Sequence, residues 1–308
     1  IIIDEVHSAG AESYQRIIDY FKPKFLLGMT ASPERTDGYD LYNLFHHNIV
    51  YEIRLEQALA EDLLCPFHYF GISDLWIDGK EINLEEDNIS FSNLSEGERV
   101  DKIIEKIRYF GHSGSRVKGL VFCSNKKEAK ELSDAFNLRK FRTISLTGDD
   151  SQAKREDAIA RLTGTGAYQG FVDDQLDYIF TVDIFNEGVD IPEVNQVIML
   201  RQTESPIVFI QQLGRGLRKF EDKEYVVILD FIGNYSNSYM IPLALSGDRS
   251  YNKDTLRKYV QSGNRIIPGT STVHFDSIAK KRIFAAIDTA NLSSAKLIKE
   301  AYLDLKYK

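Results

Sequence analysis

Cysteine is scarce in this 308-residue chain: Cys65 and Cys123 are the only two, and neither stands at a metal-ligand spacing from other ligand residues. That excludes a disulfide framework or a cysteine-built zinc site, and it fits a reducing cytoplasm with two buried structural thiols. Long apolar runs are missing as well. No stretch approaches the ~20 residues needed to span a bilayer, and the opening residues lack the charged n-region of a secretory signal, so neither membrane insertion nor secretion is expected. Net positive charge is also absent, because 38 basic residues face 46 acidic ones and leave the chain at −8. A simple nucleic-acid binder is usually basic. The charge is unevenly spread, however, with 12 basic and 6 acidic residues in 236–308 and the acidic excess confined to 1–235. A basic tail on an acidic body hints at nucleic acid. Lys280, Lys281 and Arg282, with Tyr251 and Tyr259 among Lys253, Arg257 and Lys258, would suit phosphate pairing and base stacking. The alternative is a packed tail, in which Ile278, Phe284, Ala285 and Ile287 form an apolar helix face and the lysines are merely solvated.

What is present is a regular alternation of apolar strands and amphipathic helices, the signature of parallel α/β structure. With 43% hydrophobic residues the chain can bury two ordinary cores. In residues 1–65 strands are expected at Ile1–Asp4, Phe25–Thr30 and Ile49–Ile53, with helices at Ala11–Phe21 and Leu55–Leu64, which makes a partial α/β domain. Residues 66–98 turn polar and acidic and read as a linker with one extended segment at Phe67–Ile72. Residues 99–235 form a complete doubly wound parallel sheet, with strands at Gly119–Cys123, Arg142–Leu146, Leu176–Val182, Gln196–Leu200 and Tyr225–Phe231. Its helices are expected at Val100–Phe110, Lys126–Phe136, Ser151–Leu162 and Pro206–Arg218. Residues 236–308 read as a basic, mainly helical accessory segment, with Ser277–Ala290 and Ser293–Leu305 the clearest helices.

Two stretches carry chemistry. Ile1-Ile2-Ile3-Asp4-Glu5-Val6-His7 is an apolar run that delivers a carboxylate pair at its end, as a buried strand does at the C-terminal edge of a parallel sheet. Gln211, Arg215 and Arg218 stand at i, i+4 and i+7, which would place them on one helix face able to reach a polyanion. Taken with Thr30-Ala31-Ser32-Pro33-Glu34-Arg35-Thr36-Asp37-Gly38 and Glu187-Gly188-Val189-Asp190-Ile191-Pro192, these stretches resemble superfamily 2 helicases and translocases over residues 1 to about 235. The form of the second motif is similar to that of XPB-like helicases and the Res subunits of restriction enzymes. Each motif alone is a hypothesis, and their shared order is what gives them weight.

The resemblance implies two RecA-like units, ATP and Mg²⁺ as cofactors, and nucleic acid as the track. Asp4 matches the residue that holds magnesium through water, and Glu5 the residue that orients the attacking water. His7 and Gln211 match the residues that couple the box to the opposite unit and sense the nucleotide, while Arg215 and Arg218 match the arginine fingers. Thr30, Ala31 and Ser32 fall in the coupling motif. Gly188 and Asp190 match the nucleotide side, the aspartate at the ribose. Ser124, Asn125, Thr147 and Gly148 match contacts to the sugar-phosphate track, although residues of these types at strand ends serve equally as caps and turns. Val182 precedes Asp183 where DEAD-box RNA helicases carry threonine, which moves the chain away from that RNA-helicase pattern; DNA is expected as the track ahead of RNA. No GxxxxGK[ST] run occurs, and the nearest Gly-Lys, Gly79-Lys80, lacks the loop before it. In the family that phosphate-cradling loop lies upstream of Asp4, so the chain reads as a fragment that is inactive alone, with a nuclease domain or subunit as a compatible companion. The contrasting reading is a nucleic-acid or protein binding module whose chemistry is carried elsewhere.

Overall fold

The structure, a computed structural model, describes residues 1–30, 41–53, 55–73, 76–77, 80–81, 96–182, 191–201, 209, 212, 214–232, 238–246, 252–262, 270–290 and 292. The chain divides into two compact units, one of Ile1–Arg54 with Arg249–Tyr251 and Asn291–Lys308, the other of Leu55–Asp248 with Asn252–Ala290.

The smaller unit is built on a β-α-β element. Strand β1 (Ile2–Ile3) pairs in parallel with β2 (Leu27–Gly28), and helix α1 (Glu12–Phe21) lies between them in sequence. Tyr14 and Ile18, four apart on one face of α1, pack with Leu26 and Phe45 against the buried Ile3, Val6, Ala9 and Leu41, the last opening the short helix α2 (Leu41–Leu44). Lys22 ends α1 in the left-handed conformation, its N–H on the Ile18 carbonyl at 3.0 Å. The strand expected at Ile49–Ile53 is not formed. Val50 is 87% exposed there, and a strand without a neighbour leaves its backbone groups to water.

The larger unit holds seven parallel strands in the order β11-β3-β10-β9-β6-β8-β7. They are β3 (Phe67–Ser73), β6 (Gly119–Phe122), β7 (Thr143–Leu146), β8 (Tyr178–Thr181), β9 (Gln196–Met199), β10 (Val226–Ile232) and β11 (Thr272–Phe275). Every residue of β6, β8, β9 and β10 is buried, as strands covered on both faces must be. Helix α3 (Leu55–Ala60) opens this unit and is shorter than expected: Asp62 turns left-handed and the Leu63 N–H reaches the Ala58 carbonyl at 2.9 Å, which closes the last turn. The segment expected as a linker begins with β3, paired on both sides between β10 and β11, and Phe67, Tyr69 and Ile72 are buried there. A small antiparallel pair, β4 (Trp76–Ile77) and β5 (Lys80–Glu81), follows.

Helices α4 (Glu96–Phe110) and α5 (Lys126–Leu138) cover one face. Val100, Ile103, Ile104 and Ile107 at helical spacing, with Ala129, Leu132 and Phe136, pack on Val121, Phe180, Ile198, Val227 and Leu229. Helix α6 (Gln152–Thr163) is capped by Ser151 and ended by Gly164 at φ 73°. The C-terminal segment contributes α7 (Met240–Ser246), α8 (Lys253–Ser262), β11 and α9 (Ser277–Thr289), so it adds a strand to the sheet edge as well as helices. Its packed face is Ala279, Ile283, Ala286 and Ile287, whereas Ala285 is exposed and Ile278 and Phe284 are half-buried. Tyr259 belongs to this core at 2% exposure. Several of the basic groups are committed internally, Arg257 to Asp254 and Asp288, Lys253 to the Asp288 carbonyl and Arg282 to the Ile232 carbonyl. Helix Ser293–Leu305 lies outside the described residues. Among the described residues no helix is long and apolar enough to cross a membrane.

Candidate functional site

In the smaller unit the β1–β2 ladder runs on past the strands themselves, with the Met29 N–H on the Ile3 carbonyl and the Val6 N–H on the Met29 carbonyl, both at 2.9 Å. Between those two rungs the chain bulges through Asp4 and Glu5. Glu5 adopts φ 48°, a left-handed conformation that costs a non-glycine residue on the order of 1–3 kcal/mol and tends to persist where function over-determines it. The Asp4 carboxylate accepts the Glu5 N–H at 2.9 Å and is exposed, while Glu5 is partly buried. Thr30 directly follows Met29, so it stands at the same strand-end edge as the carboxylate pair. His7 lies in the 3-10 turn Val6–Gly10 that follows, but its side chain is outside the described residues, as are Ala31 and Ser32. Among the described residues no cluster of three or more His, Cys, Asp or Glu could cage a metal. A single exposed carboxylate suits Mg²⁺ nonetheless, because that ion keeps several waters and takes one or two carboxylates plus substrate phosphates.

In the larger unit the loops after β6 and β7 occupy the C-terminal edge of the sheet. Asn125 caps α5 by accepting the Glu128 N–H at 2.9 Å, and the Glu128 carboxylate accepts the Ser124 N–H at 2.7 Å, a reciprocal cap. Arg99 on α4 holds Glu128 in turn, with both side chains mostly buried. Thr147 is arranged similarly, its N–H on the Asp150 carboxylate at 2.7 Å. The Arg155 guanidinium donates to the Gly148 carbonyl at 2.8 Å. Lys154, then the Thr147 N–H, holds the Asp150 carboxyl below its usual range. Lys126 at the start of α5 pairs with Asp149, which brings the two loops side by side. Ser124, Asn125 and Gly148 remain exposed at their surface. Gly188 and Asp190 would follow β8, between these two strands in the sheet, and lie outside the described residues.

The arginine segment differs from the expected single helix face. Phe209, Gln212 and Gly214 have helical backbone, and after Gly214 residues Arg215 and Gly216 form a turn closed by the Leu217 N–H on the Gly214 carbonyl at 3.2 Å. Arg215 is half-buried and Arg218 exposed, so they flank a turn rather than share one helical stripe; Gln211 lies outside the described residues. The cause is the docking of the turn on the sheet. Leu217 is buried, its carbonyl accepts the Cys65 N–H at 2.7 Å, and a Cβ on Gly216 would stand 2.8 Å from Val226 Cγ1. Sequence reasoning missed Lys223, whose buried ammonium donates to the Gly216 carbonyl at 3.0 Å and to the carbonyls of Pro192 and Val194. No local pattern marked it. Cys65 and Cys123 are both buried and free, and burial pushes both thiols above their ordinary range.

Two family descriptions match the chain: type III restriction enzyme, res subunit, over residues 1–35, and helicase conserved C-terminal domain over residues 98–220. A Saccharomyces cerevisiae protein named as an ATP-dependent helicase, IRC3, is 27% identical over 260 residues, covering 81% of this chain and 36% of that protein. The DNA 3'-5' translocase XPB2 of Sulfurisphaera tokodaii is 26% identical over 270 residues, covering 74% of this chain and 57% of its own length. The chain thus spans 36% and 57% of the lengths of these two relatives. The fragment structure of an HsdR subunit of a type I restriction enzyme from Vibrio vulnificus superposes at a TM-score of 0.55 with 24% identity, over 75% of this chain and 43% of that one, and speaks for the fold. With the two family matches in the order of the motifs, and RecA-like parallel sheet architecture beneath them, the chain is similar to the superfamily 2 helicases and translocases, and within them to XPB-like helicases and restriction-enzyme Res subunits.

Proposed function

We propose that the full-length protein is an ATP-dependent motor that moves along DNA as a helicase or translocase. The observation that carries this reading is the Asp4–Glu5 bulge at the end of β1, where one carboxylate is exposed and the next is held in a left-handed conformation beside it. Phosphoryl transfer to water needs positioning and charge stabilisation more than covalent chemistry. Asp4 would hold Mg²⁺ through water, and that ion, when bound, neutralises the phosphate oxygens. Glu5 orients the water, and a backbone fixed by two flanking rungs keeps its carboxylate from wandering. Arg215 and Arg218 supply positive charge where the transition state grows more negative. Gln211 and His7 link nucleotide state to the two units, with Thr30, Ala31 and Ser32 relaying the change, and Gly188 and Asp190 take the ribose side.

Ser124, Asn125, Thr147 and Gly148 contact the sugar-phosphate track. Their internal caps leave exposed groups on two adjacent loops, and such sugar-phosphate contacts set register without reading sequence. DNA as the track is supported by the name of the archaeal relative and by Val182 in place of a threonine. Two buried thiols favour a reducing cytoplasm, and restriction-enzyme relatives favour a nuclease domain or subunit as companion. The 308 residues contain no GxxxxGK[ST] phosphate-cradling run, so this stretch by itself hydrolyses no ATP.

The test is steady-state phosphate release by the full-length protein with duplex DNA, single-stranded DNA and RNA. Turnover rises with DNA and less with RNA. Turnover indifferent to every nucleic acid would refute the motor, and hydrolysis by the 308-residue chain alone would refute its inactivity.

A further inference from the structure

We propose that Lys223 is a positioning residue that locks the arginine turn to the segment following Asp190, so that both approach the nucleotide as one piece. The inference rests on the motor reading above. Lys223 is 7% exposed. Its ammonium carries three protons, and three carbonyls receive them: Gly216 at 3.0 Å, Val194 at 3.1 Å and Pro192. Burying an ammonium is costly unless its hydrogen bonds are made. A residue chosen only to fill space there would be apolar, and this one gathers backbone from two segments instead. Pro192 and Val194 close the stretch that begins with Gly188 and Asp190. Gly216 lies between Arg215 and Arg218.

The turn has two further anchors that share this geometry. The Leu217 carbonyl receives the Cys65 N–H at 2.7 Å, and Gly216 presses so near Val226 and Val197 that a methyl group would not fit. Backbone held from three sides has little freedom to displace the side chains on either flank. Lys223 touches no reacting atom in this scheme and acts through Arg215.

A double-variant cycle on ATP turnover by the full-length protein tests this, read with Lys223→Met, Arg215→Ala and the pair in saturating DNA. Since an ångström of misplacement can cost ~10²-fold in rate, Lys223→Met should lower kcat by about that factor while the KM for ATP stays within about threefold. In the Arg215→Ala background the same change should cost nothing further, because groups acting as a unit are not additive. Leu162→Ala, a fully buried core change in α6 that is not among the anchors of the turn, serves as the control for general destabilisation and should multiply with Arg215→Ala. If Lys223→Met also multiplies, or leaves kcat unchanged, Lys223 is a packing element only and the proposal fails. Should Lys223→Met not fold, Lys223→Gln, which keeps two donors of the three, is read by the same criteria. Wild-type protein without DNA-stimulated turnover would instead overturn the motor reading, and this inference with it.

Discussion

Gly214 and Gly216 flank Arg215 and look interchangeable in the sequence, yet alanine at the two positions should move stability in opposite directions. Neither glycine sits in the left-handed region, so neither substitution strains the backbone. At Gly214 a Cβ meets nothing within 4 Å, and the loss of unfolded-state freedom alone should stabilise the fold by about 0.4–1 kcal/mol. At Gly216 the Cβ would stand 2.8 Å from Val226 Cγ1 and 3.4 Å from Val197 Cγ2. Both valines are fully buried in β10 and β9, so neither can swing aside. Overpacking of this kind costs about 1–3 kcal/mol. Urea denaturation followed by circular dichroism reads both changes as shifts in midpoint at constant slope. Because the clash with Val226 is specific, the double change Gly216→Ala with Val226→Ala should fall short of the summed single effects by more than the ~0.5 kcal/mol expected between independent sites. Strict additivity, or an unchanged midpoint for Gly216→Ala, would mean that the turn does not dock on the sheet.

In the full-length protein Glu5→Gln and Arg215→Ala should each keep nucleotide binding and lose ~10²- to 10³-fold in turnover, as removal of a transition-state stabiliser does; phosphate release within about threefold of wild type with the fold intact would misassign the roles. Asp150 has a carboxyl depressed by Lys154 and Thr147, so its contribution is present above its unfolded value of about 3.9 and is lost as pH falls through the lower folded value. Hydrogen exchange at the Thr147 amide should therefore lose protection in acid before the sheet amides do, and Asp150→Asn should remove that pH dependence. Equal protection of both sets down to about pH 2 would refute it. Cys65 and Cys123 combine burial with thiols pushed up by that burial, so an alkylating agent followed by mass spectrometry should label them only on unfolding; native labelling at the rate of a free thiol would place them at the surface.

The strands that sequence periodicity marked best are those whose burial is settled by their own side chains. β6, β8, β9 and β10 are apolar throughout and lie where expected to within a residue or two. Strand β3 was legible as extended but not as part of the sheet, because its partners in β10 and β11 are some 160 and 204 residues away along the chain, and nothing in an acidic stretch announces them. The converse error is Ile49–Ile53, which has strand composition and no neighbour to pair with among the described residues.

The same distinction between local and distant causes runs through the candidate site. Turn chemistry alone suggested that Ser124, Asn125 and Thr147 might be caps, and all three are engaged within four residues of themselves, with Glu128 and Asp150. That does not remove them from the track, since the caps fix loops whose outer surface stays open. The arginine spacing was readable and its geometry was not: i, i+4 and i+7 share a face only while the helix continues, and it stops because Gly216 must meet Val226 and Val197, residues of other strands. Lys223 is the extreme case. One of its carbonyl partners is 7 residues away and the others are 29 and 31, contributed by backbone whose identity leaves no trace in side-chain pattern. A sequence displays the groups that do chemistry because their types are restricted, whereas the groups that hold them in place need only a donor at the right point in space. Substitutions that silence such a motor while sparing every recognised motif should therefore concentrate at buried polar residues that grip backbone, with Lys223 the first to try.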